Sequence, residues 1–419
     1  MKRGVVDMKK GKPRMKFRLP QKYDKIIHIA VLVLILFGTF MLVSIKSASL
    51  NGASAILKTF LKQCVTIAIA YCAMLFFANK FSMKRAKRYF VFFGVGIFLL
   101  LVATLFFKDQ FGSRAWVRIP GIPMSIQPSE FVKVFMIVIM ALYIEMVGKQ
   151  RCSLWTIIRI PFIYFVACAT IILIQPDVGT LAVLTLITIA CFLIPTHKSL
   201  RGMQKFVKVC LVIALCFGVF ITTKLGSGLV QDLPVFSHIT TRINIAIDPF
   251  EQPHLGGYQL INGLYGIARG GLKGAGLGQS IQKYGYLTQS ENDFILSIVI
   301  EEFGLLGLVV ILACYGAILY RLFFYAIRTK SEGYKIILIG TGMYIFIHFA
   351  LNVGGVGGLI PLTGVPLLFI SSGGSSLISV MCAIGISQSV ISRIRRQGSV
   401  ETTLEKRKVN KNKTVESKD

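Results

Sequence analysis

The sequence predicts an all-α polytopic membrane protein with about ten transmembrane helices. Of its 419 residues 54% are hydrophobic, the mean hydropathy is +0.69, and apolar runs of about 20 residues recur along the chain. A soluble domain of this length would be far more polar. The predicted spans are residues 26–46, 59–79, 89–107, 130–148, 158–175, 178–195, 206–224, 293–321, 335–353 and 375–392.

Basic residues indicate the orientation of these spans. Residues 1–25 carry ten basic and two acidic side chains, and residues 393–419 carry nine and four, whereas loop 225–292 carries four of each. The positive-inside rule therefore predicts that both termini are cytoplasmic and that the long loop between spans seven and eight is extracellular. The expected organisation is a basic arm at 1–25, a membrane domain at 26–392 and a disordered cytoplasmic tail at 393–419.

Composition also excludes several classes of function. The net charge of +29 is explained by topology and by contact with anionic lipid, so nucleic-acid binding is not expected. Most of the nine cysteines fall inside predicted spans, no CxxC pair occurs, and the five histidines are scattered. We therefore predict no metal site and no required cofactor.

Asp293 is the candidate catalytic residue. It stands where a long polar stretch meets the eighth predicted span, so its carboxylate is expected at the outer membrane surface. Ionisable residues at membrane depth are costly and are functional candidates. Glu301 lies about 12 Å further along a helix, which excludes a close pair of acidic residues. Glu301 and Glu302 are expected to bond within the bundle, to Lys133 or His348.

A second polar stretch runs from an outer loop into the fourth span. Arg114, Arg118 and Lys133 place cations on the outer side, against the trend of the other loops, and an anionic ligand is the simplest explanation. Glu130 and Lys133 share one helical face, so they could also form a buried packing pair. Both alternatives remain open from the sequence.

Three further stretches carry candidate binding residues. Asp177, between spans five and six, could cap a helix or orient a substrate. The glycine-rich stretch 258–280 lacks a preceding strand, which argues against a dinucleotide site. It is typical of an interfacial helix or re-entrant segment, and Arg269 and Lys273 within it could contact phosphate. In stretch 352–376, Ser371 and Ser375 could hold an oxyanion or a sugar.

Four of these motifs are specific when taken together. They are Ile126-Gln-Pro-Ser-Glu130 with Lys133, Gln175-Pro-Asp-Val-Gly179, Asn292-Asp-Phe-Ile295 with Glu301-Glu-Phe-Gly304, and Pro361-Leu-Thr-Gly-Val-Pro366 with Ser371-Ser-Gly-Gly-Ser375. In this order they resemble the SEDS family of bacterial cell-wall polymerases (shape, elongation, division and sporulation). The resemblance covers nearly the whole chain.

The resemblance implies an enzyme that polymerises lipid II into glycan strands beside a class B penicillin-binding protein. It also implies a multi-pass protein of the bacterial cell membrane. Asp293 falls on the essential aspartate of the family. The predicted substrate-binding residues are Arg114, Trp116, Glu130, Lys133, Asp177, Gln259, Arg269, Lys273, Ser371 and Ser375. The predicted supporting residues are Glu301, Glu302, Pro366, Gly373 and Gly374.

The chain departs from the family pattern at three positions. Ala115 replaces a basic residue before the tryptophan, Ser372 replaces a tyrosine, and Asn292 replaces a small hydroxylated residue. Within the family, stretches 258–265 and 276–283 look more like the division-type FtsW branch than RodA. That branch implies septal localisation and further division-complex membrane proteins as partners.

The expected mechanism uses Asp293 as a single general base, because a diphosphate leaves without a proton when its charge is neutralised. Arg114, Lys133, and Arg269 or Lys273 are expected to neutralise it, and a divalent cation could share that task. Attack on one face predicts inversion. The competing functions are an elongation-type RodA polymerase, a lipid II flippase and a non-catalytic scaffold.

Overall fold

A computed structural model describes residues 18–48, 52–107, 113–118, 125–148, 152–221, 245–251, 253 and 257–416. The fold is almost entirely helical. The helices are α1 (Lys25–Ser47), α2 (Gly52–Lys80), α3 (Met83–Ala103), α4 (Pro128–Val147), α5 (Leu154–Ile174), α6 (Val178–Leu193), α7 (Arg201–Ile221), α8 (Gly257–Gly270), α9 (Ile295–Arg328), α10 (Glu332–Val356) and α11 (Gly374–Glu416). A two-stranded antiparallel hairpin, β1 (Val117–Arg118) and β2 (Ser125–Ile126), precedes α4.

Within the described residues, each of the ten predicted spans coincides with a helix, and residues 222–224 of the seventh span lie outside them. Within the described ranges, eight of these helices are long and apolar enough to cross a membrane. The other two are α4, which carries three charged residues, and α6, which has 16 residues. Helix α6 would rise about 24 Å, less than a typical hydrocarbon core. The all-α membrane class is therefore confirmed, and the orientation of the termini remains a prediction.

The last helix requires a correction. Span ten was expected to end at residue 392 and to be followed by a disordered tail, but α11 continues to Glu416. Residues 393–416 contain no proline and many Lys, Arg and Glu residues, which have high helix propensity. Hydropathy therefore located the end of the apolar run and not the end of the helix.

Burial separates the helices into a core and a periphery. Helices α9 and α10 and the part Gly374–Gly398 of α11 are mostly buried, whereas α3 and α7 are mostly exposed. An exposed apolar helix in such a bundle faces lipid. Four charged residues that the sequence singled out are buried in this bundle, namely Glu130, Lys133, Glu301 and Glu302.

Helix α9 is interrupted at Gly304, where φ is 64° and ψ is −157°. The segment after α8 packs against this break: the amides of Ala275 and Gly276 donate to the carbonyls of Glu301 (2.8 Å) and Glu302 (3.1 Å). A Cβ atom at Gly270 would lie 1.9 Å from the carbonyl oxygen of Ile300, so only glycine permits this approach. The glycine-rich stretch thus forms helix α8 followed by a segment that packs on the break in α9, and its position as an interfacial helix or a re-entrant segment stays a prediction.

Candidate active site

Asp293 lies two residues before α9, at the end that the charge pattern places outside. Its side chain is partly buried, and burial raises the pKa of the carboxyl to about 6. Within the described residues, no hydrogen bond or ion pair reaches the carboxylate. A Cβ atom at Gly364 would lie 3.7 Å from Asp293 Oδ2, so the loop before α11 borders the carboxylate. The Asp293 carboxyl is therefore partly buried, has a raised pKa and has no partner among the described residues.

The backbone around Asp293 is held by the loop before α11. The amide of Ser372 donates to the Glu291 carbonyl (2.9 Å), and the Ser371 hydroxyl donates to the Asn292 carbonyl (2.7 Å). The Ser371 hydroxyl also accepts from the Leu367 amide (3.0 Å). The predicted contact of Ser371 with substrate is corrected accordingly, because its hydroxyl is buried and bonded within the chain. Ser371 instead holds the backbone next to Asp293.

Glu301 and Glu302 bond within the bundle, as predicted, but with different partners. Arg269 Nη1 lies 2.9 Å from Glu301 Oε1, and the Ser280 hydroxyl also donates to Glu301. Lys283 Nζ lies 3.1 Å from Glu302 Oε1. The expectation of Lys133 or His348 as partners was wrong, because the segment after α8 re-enters beside α9 and brings its own cations. Arg269 is paired with Glu301 but its side chain is 39% exposed, so its contact with phosphate stays a prediction.

Glu130 and Lys133 form a buried ion pair with a Nζ–Oε1 distance of 2.7 Å. The Tyr344 hydroxyl donates to Glu130 Oε2 (3.0 Å), and Lys133 Nζ lies 3.1 Å from His348 Nε2. Lys133 is only 1% exposed. A side chain with this burial and these partners is not open to a diphosphate, so its expected direct contact is corrected. Of the two alternatives, the packing pair describes this structure.

Arg114 and Arg118 are the exposed cations of the second polar stretch. Arg114 comes first along the chain. It is exposed and has no ion pair within the described residues, while Trp116 beside it is partly buried. The Ser113 hydroxyl donates to the Gln175 carbonyl (2.7 Å), which fixes this segment to the turn before α6. Arg118, at the end of β1, is also exposed. Both arginines are available to an anion.

Asp177 is the cap of α6. Its carboxylate accepts from the Thr180 amide (3.0 Å) and from Gln127 Nε2 (2.9 Å). The capping alternative is therefore seen in the structure, and the role of Asp177 in orienting a substrate stays a prediction. The start of α6 also packs on the loop before α11, since a Cβ atom at Gly179 would lie 2.2 Å from the Thr363 carbonyl oxygen. The segment of Arg114 is bonded to the turn before α6, and the start of α6 packs on the loop that contains Gly364. Gly364 in turn borders the Asp293 carboxylate.

The remaining predicted residues divide into outer and supporting ones. Lys273 is exposed, and Gln259 Nε2 donates to the Thr288 hydroxyl. Ser375 is buried in the first turn of α11, which begins at Gly374. A Cβ atom at Gly373 would lie 2.3 Å from Ser376 Oγ, and the Pro366 carbonyl lies 3.3 Å from His348 Nδ1. Pro366, Gly373 and Gly374 thus shape the backbone of the loop, as expected of supporting residues.

Sequence reasoning missed several polar residues of this region. Asn352 Nδ2 donates to the Asp293 carbonyl (2.8 Å), and Ser44 of α1 donates to Glu302 (2.9 Å). Lys283 was noted only as part of a motif. The sequence could have indicated Asn352, because it is a polar residue just before a glycine run. The contact between Ser44 and Glu302 has no local signal, because these residues are 258 positions apart.

The arrangement suits transfer of an anionic leaving group. Asp293 has no partner within the described residues and a pKa raised to about 6, and two exposed arginines are Arg114, before the hairpin, and Arg118, at the end of β1. Across the described part of the chain, no group of three or more His, Cys, Asp or Glu side chains is placed to hold a metal ion.

Comparison with known proteins gives the relationship. The family profile described as "Cell cycle protein", which represents FtsW, RodA and SpoVE, matches residues 24–397. The chain belongs to this family. FtsW/RodA/SpoVE relatives include the "Probable peptidoglycan glycosyltransferase FtsW" of Bacillus subtilis, 33% identical over 88% of this chain and 90% of the relative. The protein of the same description from Enterococcus hirae is 35% identical over 67% and 69%.

Solved structures confirm the FtsW/RodA/SpoVE fold. A chain of the structure described as "Structural coordination of polymerization and crosslinking by a peptidoglycan synthase complex" superposes with a TM-score of 0.68 at 21% identity, over 90% of this chain and 99% of that one. The RodA of Thermus thermophilus superposes with a TM-score of 0.57 at 20% identity, over 89% and 97%. The polytopic membrane architecture is therefore that of the family.

Proposed function

We propose that this chain is a peptidoglycan glycosyltransferase that polymerises lipid II, with Asp293 as its general base. The observation that carries the proposal is the Asp293 carboxylate, which has no partner within the described residues and a pKa raised to about 6. General bases work best when their pKa lies near the operating pH. The descriptions of the FtsW relatives support the reaction class.

The reaction begins with the acceptor, whose N-acetylglucosamine 4-hydroxyl is a weak nucleophile at neutral pH. Asp293 accepts the hydroxyl proton as the oxygen attacks the anomeric carbon of the donor N-acetylmuramic acid. The bond from that carbon to undecaprenyl diphosphate breaks, and the leaving group takes the bonding electron pair. Attack opposite the leaving group inverts the anomeric configuration. One carboxylate is sufficient, because the diphosphate departs without a proton.

The leaving diphosphate needs cations that are not already neutralised. Lys133, Arg269 and Lys283 are each paired with a glutamate. Arg114, Arg118 and Lys273 are exposed and have no ion pair within the described ranges. We therefore assign electrostatic stabilisation of the diphosphate to Arg114, with Arg118 and Lys273 as further contacts. A divalent cation added to the reaction would share this charge.

The proposed biological role is septal wall synthesis during division. It rests on the FtsW descriptions of relatives that cover most of this chain. The peptidoglycan synthase complex with the same fold supports a transpeptidase of the class B penicillin-binding type as partner. Other division-complex membrane proteins are proposed partners on the same ground, and localisation at the septum of the cell membrane follows from this role.

The test is lipid II polymerisation by the purified full-length chain in liposomes, with the cognate transpeptidase present. We expect glycan strands from the wild type and none from Asp293→Asn. A lipid II flippase or a scaffold would yield no glycan from either protein. Polymerisation by Asp293→Asn at the wild-type rate would refute the role of the carboxylate. To separate division from elongation, the chain is depleted in cells: filamentation supports the division role, and rounding supports elongation.

A further inference from the structure

Asn352 lies in the last turn of α10 and is only 3% exposed. Its Nδ2 atom donates two hydrogen bonds, to the Asp293 carbonyl (2.8 Å) and to the Val365 carbonyl (3.0 Å). These carbonyls belong to two separate backbone segments. One segment carries the Asp293 carboxylate, and the other carries Gly364, which borders it. The Asn352 amide therefore joins the two backbones that meet at the proposed base.

The orientation of this amide is determined by its contacts. Both partners are carbonyl oxygens, so the nitrogen of the amide must face them. The Asn352 Oδ1 atom is then buried without a hydrogen-bond partner in the described part of the chain. An unsatisfied buried acceptor costs about 1–3 kcal/mol. The chain tolerates this cost at the residue that holds the Asp293 backbone, which favours a function in positioning over one in stability.

Asn352 belongs to a polar face of α10 that continues towards the cytoplasm. His348 and Tyr344 lie four and eight residues before it, so the three side chains share one helical face. Lys133 lies 3.1 Å from His348 Nε2, which leaves Nδ1 to donate to the Pro366 carbonyl (3.3 Å). Asn352 and His348 thus hold adjacent residues of one loop.

This polar face is anchored at its far end. Tyr344 donates to Glu130, the partner of Lys133, and is fully buried. Tyr344, His348 and Asn352 therefore connect the buried Glu130–Lys133 pair to the loop of residues 361–366. Such a connection restrains the height and tilt of the loop, because each bond is between packed and buried groups. The restraint reaches Asp293 through Asn352.

We infer that Asn352 is a positioning residue that sets the Asp293 carboxylate against the loop of residues 361–366. The inference rests on the proposed function, because it specifies how the general base is held. Asn352 does not touch the reacting atoms. Its loss should slow the chemical step and leave lipid II binding unchanged.

The test compares Asn352→Ala, Asn352→Asp and Asn352→Ser with the wild type as full-length proteins in liposomes. Initial rates are measured across lipid II concentrations with the cognate transpeptidase present. Misplacement of a catalytic group by about 1 Å can cost on the order of 100-fold, so we expect kcat to fall about 10–100-fold in the Ala variant. The apparent KM should stay within about twofold, since no substrate contact is removed.

The two other variants separate hydrogen bonding from volume. Aspartate has the size of asparagine but cannot donate when ionised, so Asn352→Asp should be as slow as Asn352→Ala. Serine keeps one donor, and Asn352→Ser should recover part of the rate. The Ser variant also serves if the Ala variant does not fold. A rise in KM with unchanged kcat would overturn the inference.

Thr341→Val is the matched control. Thr341 is buried on the same helix and accepts from Ser387 (3.1 Å), away from the Asp293 segment. It should keep the wild-type kcat even if its thermal stability falls. If Thr341→Val slowed kcat as much as Asn352→Ala at equal stability, the effect would be general loosening and the inference would be wrong.

A second readout does not depend on activity. Amide hydrogen exchange of residues 289–297 should accelerate in Asn352→Ala and stay unchanged in Thr341→Val, because only the first loses the Asp293 contact. Unchanged exchange in Asn352→Ala would overturn the inference whatever the polymerisation assay shows. Failure of the proposed function is distinguishable, because it would appear as activity in Asp293→Asn or as no glycan from the wild type.

Discussion

Two aspartates lie just before helices at opposite ends of the bundle, and their hydrogen-bond partners differ. Asp24 precedes α1 and accepts from the Ile27 amide (3.0 Å), Arg321 Nε (2.9 Å) and the Tyr325 hydroxyl (3.0 Å). Asp293 precedes α9 and receives none of these within the described residues. The bundle thus supplies several hydrogen-bond donors to the Asp24 carboxylate, whereas its described residues supply none to the Asp293 carboxylate.

The pKa values of the two carboxyls differ for the same reason. Burial alone would raise the pKa of Asp24, but hydrogen bonds from Arg321, Ile27 and Tyr325 lower it below its ordinary value. Burial without such donors raises the pKa of Asp293 to about 6. Burial acts in the same direction on both carboxyls, so the hydrogen-bond donors around Asp24 account for the opposite directions of the two pKa shifts.

The largest expected effect is on the reaction rate. Asp293→Asn should lower lipid II polymerisation about 10²–10⁴-fold, because the amide cannot accept the proton of the sugar hydroxyl. Asp24→Asn should leave the rate per folded molecule within about threefold. Initial rates on detergent-purified proteins, corrected for the folded fraction, check both values. Equal losses in the two variants would remove the distinction between them.

The next effect concerns stability at the inner site. Arg321→Met leaves the Asp24 carboxylate buried without its cation, so it should cost about 3 kcal/mol of unfolding free energy. The thermal unfolding midpoint measures the loss. The double variant Asp24→Asn with Arg321→Met should recover part of it, because no charge is then left unpaired. No recovery would show that Arg321 acts through packing alone.

Ionisation of Asp293 should lower the free energy of unfolding, which is the opposite of the effect expected for Asp24. The raised pKa of Asp293 means that the folded state holds its proton more tightly than the unfolded state. Wild-type stability should therefore fall relative to Asp293→Asn as pH rises from about 4 to about 6, and the difference should then stay constant. Unfolding midpoints of both proteins across this range test it. A constant difference at every pH would contradict the raised pKa.

The pH dependence of the reaction gives a related check. Since the base must be ionised, polymerisation should decline as pH falls through about 6, rather than through the ordinary aspartate value near 4. The control is Glu291→Gln, which removes a partly exposed carboxylate paired with Lys46. It should leave the acid limb in place, whereas a shifted limb would assign the titration to Glu291.

The smallest expected effect is at the outer cations. Arg114→Ala should lower kcat/KM about tenfold, which is about 1.4 kcal/mol of transition-state stabilisation. Arg269→Ala should instead lower stability, because it leaves Glu301 buried without its cation. Donor turnover and unfolding midpoints for the two variants separate these outcomes. Unchanged turnover in Arg114→Ala would exclude it from the diphosphate site.

The sequence by itself determined the membrane class, the positions of the ten helical segments and the family. It also indicated Asp293 as the candidate catalytic residue. Each follows from local composition or short motifs, which the chain carries before it folds. The tertiary structure decided which charges are neutralised. Lys133 and Arg269 were expected to bind substrate, yet each is paired with a glutamate, whereas Arg114 is exposed. Such pairing depends on distances between helices, and Asn352 reaches Asp293 across 59 positions.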